Sequence, residues 1–177
     1  CGRAAYHQHV KIDSEDPETS PGEILTKGPN VLLGYYKNPE ATEASIDKDG
    51  WFHTGDLGLM DSDGNVFIKG RSKNLLLGSN GQNIYPEEIE DKLNSLPLVN
   101  ECLVIQEGNK LVALVHPDFD EAKSIGLNHS DVEKIMEQDL QQLNGLIPSY
   151  SRVSEIRIQE EEFAKTPKRS IKRYLYA

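Results

Sequence analysis

The chain has 177 residues, 37% of them hydrophobic and 27% charged, which suits one modest globular core or two small ones. Its formal net charge of −10 excludes a protein whose main partner is nucleic acid, because affinity there comes from cations set on phosphates. No apolar run approaches the ~20 residues needed to cross a bilayer, and no signal-peptide pattern is visible.

The first 70 residues read as short strands separated by turns. His9-Val10-Lys11-Ile12-Asp13 alternates, Pro21-Gly22 is a turn, and Glu23 to Lys27 is a strand. Asn38-Pro39-Glu40 opens a short helix, with Pro39 suited to its first position. Trp51-Phe52-His53 reads as a short strand, and Asp61 to Asn65 as a hairpin turn leading to Val66-Phe67-Ile68-Lys69. Such spacing predicts a small β-barrel-like or curled sheet.

The patterning changes after Ile68-Lys69-Gly70-Arg71-Ser72-Lys73-Asn74, where a joint between two folding units is expected. Residues 1–71 form the β-rich subdomain, and 72–177 a small, mobile α/β domain with a three-stranded sheet, helices and a β-hairpin. Leu75-Leu76-Leu77 is a buried strand candidate. Pro86 starts a helix whose Ile89, Leu93 and Leu96 share a face. Cys102–Ile105 and Leu111–Val115 flank the Gly108-Asn109 turn as a hairpin. Ser130 caps the next helix, with Glu133 closing a capping box and Gly145 ending it. Val153 to Ile158 is the last strand, followed by a polar, basic, Tyr-rich tail. The two cysteines, Cys1 and Cys102, give no disulfide framework, and Cys102 reads as a buried thiol, so a reducing, cytoplasmic setting is expected.

Four stretches bear on chemistry. Thr54-Gly55-Asp56 can aim a carboxylate at vicinal hydroxyls, or it is simply a turn. Arg71 offers a planar fork of donors to a phosphate or ribose oxygen, or forms a surface salt bridge, and Lys73 sits where a pivot would absorb large dihedral changes. Gly78-Ser79-Asn80-Gly81 permits close approach of a ligand to backbone, or is a structural turn before a helix. The tail from Lys165 to Arg173 can deliver a Lys to a transferring group, or is a solvated basic tail. No metal-ligand spacing is present.

In this order the four stretches resemble the C-terminal third of the adenylate-forming enzymes. Gly22 to Thr42 is similar to that family's core segment, and Gly50-Trp51-Phe52-His53-Thr54-Gly55-Asp56-Leu57 to its ribose-binding motif. Gly70-Arg71-Ser72-Lys73 and Asn83-Ile84-Tyr85-Pro86-Glu87-Glu88-Ile89-Glu90 are similar to its hinge motif and continuation. The Gly-Gln-Asn-Ile-Tyr-Pro form at 81–86, with Lys172-Arg173-Tyr174-Leu175-Tyr176, most resembles bacterial long-chain fatty acid–CoA ligases. The resemblance implies that Thr54, Asp56 and Arg71 hold the nucleotide, Lys73 is the pivot and Gly81 lines the pantetheine path. It also implies ATP, CoA and Mg2+ as cofactors, the ion being held mainly by an N-terminal domain upstream of Cys1. Small-molecule substrates are the expected partners, with peripheral membrane contact a further expectation for the parent. Aligned from Thr166, the family's catalytic Lys falls on Ser170, which leaves Lys172 and Lys168 as catalytic candidates, all three on one face if the segment is extended. A fragment acting on acyl carrier protein, or a stand-alone docking module, are the alternatives.

Overall fold

In the computed structural model, which describes residues 2–176, the chain divides into two compact units, Cys1–Asn74 and Leu75–Ala177. The first is built on an antiparallel sheet of β1 (His9–Asp13), β2 (Gly22–Lys27), β3 (Phe52–Met60) and β4 (Val66–Arg71), in that order. β1 and β4 stay as free edges of this sheet, so the barrel-like expectation gives way to an open sheet. Four strands are too few to tilt and close around a packed interior. Helix α1 (Pro39–Ser45) follows the sequence signal: Asn38 caps it through its side chain and Pro39 begins it.

The strand expected at Trp51–His53 is much longer than its apolar start suggests. β3 continues through Thr54-Gly55-Asp56 to Met60. Its pairing with β2 jumps from Leu25↔His53 to Glu23↔Leu57, so those three residues stand opposite Ile24 alone. The tripeptide is a bulge inside a strand, a device that re-aims a side chain while the flanking ladder persists.

The second unit centres on β7 (Val99–Glu107), β8 (Lys110–Pro117) and β9 (Val153–Ile158), with β7 antiparallel and β9 parallel to the central β8. The expected hairpin is therefore part of the three-stranded sheet. Period-two alternation sends Cys102, Val104, Leu111, Ala113, Val115 and Val153 to one face, against α2 (Pro86–Leu93) and α4 (His129–Leu146). Leu103, Ile105, Val112 and Leu114 point the other way and are also buried. Burial on both faces explains why β7 and β8 read as continuous apolar runs.

Several local readings shift. Leu75–Leu77 is not a buried strand: only Leu76–Leu77 is extended (β5), pairing with β6 (Asn83–Ile84), and Leu77 is 62% exposed. Asn128, not Ser130, caps α4, forming the capping box with Asp131. Gly145 lies inside that helix, which ends at Leu146. Helix α3 (Phe119–Ser124), capped by Asp118, has no counterpart in the sequence reading. Cys102 is a buried free thiol whose pKa is pushed up by burial, while Cys1 lies outside the described residues. Among the described residues no helix is long and apolar enough to cross a membrane.

Candidate functional site

The bulge on β3 displays Asp56. Gly55 supplies the left-handed backbone, at φ +73°, that the bulge needs. The Thr54 hydroxyl donates to the Ile24 carbonyl at 2.7 Å and accepts from the Asp56 amide at 3.1 Å. Glu23, on the neighbouring strand, braces the other side: one carboxylate oxygen accepts from the Gly55 amide at 2.8 Å, and the other lies 2.8 Å from His53 Nδ1. Opposite, Asp56 is the register partner of Arg71 on β4, and Arg71 Nε donates to Asp56 Oδ1 at 2.8 Å.

Of the two readings of each of these residues, the structure shows the local one. Thr54-Gly55-Asp56 is a local backbone device, and it presents a carboxylate. Arg71 makes a salt bridge and remains 61% exposed, with its guanidinium beside that carboxylate. In so exposed a position the pair adds little stability. It fixes direction instead: a partly buried acceptor and a fork of donors side by side. That set suits a ribose, whose two hydroxyls donate to a carboxylate, with phosphate or ring oxygens for the guanidinium. Glu23 is the residue that sequence reasoning missed.

Lys73 is exposed in a short 3-10 turn, Ser72–Asn74, directly after β4. In the second unit Gly81 sits in the β5–β6 loop at φ +79°, with its amide donating to Gly78 O at 2.9 Å. Nothing lies within 4 Å of where a Cβ would be, so the backbone there is open to close approach.

The tail is not extended where Lys168, Ser170 and Lys172 were expected to share a face. Lys165 bridges to Ile171, Thr166 N donates to Ser170 O at 2.9 Å, and Arg169 adopts φ +62°. The segment is a tight turn with Lys168 and Ser170 exposed on it and Lys172 half-buried beyond it. Lys165, half-buried, is paired with Glu101 and Glu162, which hold its ammonium pKa above the ordinary value. Thr54, Asp56 and Arg71 are thus brought together in the first unit, while in the second Lys168 lies on the tail turn, Lys172 beyond it and Gly81 in a separate loop. Among the described residues there is no group of three or more His, Cys, Asp or Glu placed to hold a metal ion.

The sequence and fold place the chain in a family. Residues 73–176 match the model of the AMP-binding enzyme C-terminal domain, and the chain belongs to that family of adenylate-forming enzymes. It is 36% identical over 170 residues to an indoleacetate–CoA ligase of Aromatoleum aromaticum, covering 91% of this chain and 31% of that one. It is 46% identical over 93 residues to a long-chain-fatty-acid–CoA ligase of Escherichia coli, covering 52% and 16%. Among solved structures, ATP-bound MatB from Rhodopseudomonas palustris superposes with a TM-score of 0.72 at 28% identity, covering 98% of this chain and 34% of MatB. The chain spans about a third or less of the length of these relatives.

Proposed function

We propose that this chain is the C-terminal portion of an AMP-forming acid–thiol ligase that activates a long-chain fatty acid with ATP and transfers it to CoA. The observation that carries the reading is the bulge that sets Asp56 beside Arg71. In the first half-reaction a carboxylate oxygen of the acid attacks the α-phosphorus of ATP and pyrophosphate leaves. In the second, the thiol of CoA attacks the acyl carbonyl and AMP leaves. Asp56 accepts from the ribose hydroxyls in both halves, and Arg71 donates to a ribose or phosphate oxygen. Lys73 is the pivot about which the second unit exchanges faces. Gly81 flanks the pantetheine arm in the thioester-forming state, and the tail turn carrying Lys168 and Ser170, with Lys172 just beyond it, serves adenylation.

The long-chain preference rests on local form. Residues 81–86 and 172–176 resemble that class of ligase, as the Escherichia coli relative does. Indoleacetate in another relative's name marks the breadth of acids the family accepts. The test is a parent enzyme carrying Asp56→Ala, assayed against a panel of acids. Each charge-assisted hydrogen bond lost is worth about 1.5–3 kcal/mol, so the KM for ATP should rise tenfold or more. An unchanged ATP dependence refutes the assignment of Asp56. Turnover of aromatic acids in preference to fatty acids refutes the substrate class alone.

A further inference from the structure

The tail after β9 is docked far more firmly than its polar composition predicts. Phe163 is buried against Leu103, Ile105, Val112 and Leu114, with Ile171 and Tyr176 packed beside it. The Phe163 and Tyr176 rings meet edge to face at 5.1 Å, and the Ala164 amide donates to the Tyr176 hydroxyl at 2.9 Å. The Lys172 amide closes the loop on Ala164 O at 2.8 Å. Between these anchors hangs the Thr166–Ser170 turn.

Besides Lys165, which pairs with Glu101 on β7, a second charge from the tail reaches inward. Arg173 Nη1 donates to the Val104 carbonyl at 3.2 Å, and Nη2 donates to Glu90 Oε2 on α2. Glu90 Oε1 accepts from the Val104 amide at 2.6 Å. β7 is an edge strand, so Val104 has backbone groups that the ladder leaves unpaired. Glu90 and Arg173 satisfy both and join helix, strand and tail at one point. Glu90 is only 8% exposed, and burial raises its pKa even with Arg173 beside it. A buried ion pair is a weak source of net stability, because desolvation offsets the attraction. Its distinctive product here is geometry.

We infer that Glu90 and Arg173 are a positioning pair that holds the Thr166–Ser170 turn in register with α2, so that the tail moves with the second unit and not as a free arm. The inference rests on the reading above for what the turn does, but not for its anchoring. Two measurements separate them. In this chain, trypsin cutting between Lys168 and Ser170 requires local opening, so Arg173→Met should speed it about tenfold or more while circular dichroism stays unchanged. An unchanged cutting rate overturns the inference. Should Arg173→Met lose its fold, Glu90→Gln carries the same comparison, since it keeps an acceptor for Val104 and denies one to Arg173. In the parent enzyme, either variant should lower ATP–pyrophosphate exchange about tenfold and leave thioester formation from synthetic acyl-adenylate within roughly twofold. Equal loss of both half-reactions overturns positioning in favour of general destabilisation. If the unaltered parent shows no exchange with any acid, the proposed function falls, and the trypsin comparison alone decides the anchor.

Discussion

Asp56 is held by a residue thirty-three positions earlier in the chain. The Glu23 carboxylate is split between the Gly55 amide and His53, and without it the bulge loses a strut on the β2 side. Glu23→Ala should therefore raise the KM for ATP in the parent, while Glu23→Gln, which still accepts from Gly55, should recover most of it. Equal kinetic constants for the two variants would sink the role. Asp139 offers a separate test. It is buried on α4, its Oδ2 has no hydrogen-bond partner, and burial raises its pKa. The charge penalty of folding at this site is therefore absent below the ordinary carboxylate range, and it builds as pH rises from there to the raised folded-state value. Asp139→Asn should stabilise the chain by about 1 kcal/mol at pH 8 and make no gain at low pH, as read by urea denaturation. At this scale the sequence exposed the residues whose neighbours in the chain give them meaning. Asp56 and Arg71 sit in recognisable strings, whereas Glu23 meets Gly55 only through strand pairing, which leaves no local mark.

Element by element, existence was more legible than ends. The hairpin of β7 and β8 announced itself because two-sided burial demands unbroken apolar runs. The α4 cap expected at Ser130 lies at Asn128 for a physical reason. Asn128 and Ser130 each have an acid three residues on, Asp131 and Glu133, so two overlapping capping boxes compete in the sequence. The structure satisfies both hydrogen bonds of the first. Asn128→Ala should then cost about 1 kcal/mol and Ser130→Ala less than about 0.5, by urea denaturation. The reverse order would return the cap to Ser130. Strand spacing left a barrel-like and a curled sheet both open, because it reports how many strands there are and not whether the first finds the last. The tail was misread because five of its residues are cationic, and the few apolar anchors, Phe163, Ile171 and Tyr176, are too sparse for any period.

For the whole molecule, the two units differ in what they bury. Among the described residues the first has Ile12, Ile24 and Leu25 as its buried hydrophobic residues, whereas the second has a core on each side of its sheet. Amides of β1–β4 should exchange hydrogen roughly tenfold or more faster than those of β7–β9, and exchange at a common rate would contradict two separately stable units. If Lys73 is the pivot, Lys73→Pro in the parent should damage one half-reaction and spare the other, because a fixed φ favours one of the two arrangements. The docked tail has a consequence during synthesis. β7 and β8 are synthesised before residues 163–176, which cover Leu103, Ile105, Val112 and Leu114. Through that interval the nascent chain carries a bare apolar sheet face, and translation halted before Phe163 leaves it bare for good. Such a truncated product should be captured by chaperones and cleared by proteases, so the tail also shields the sheet made before it.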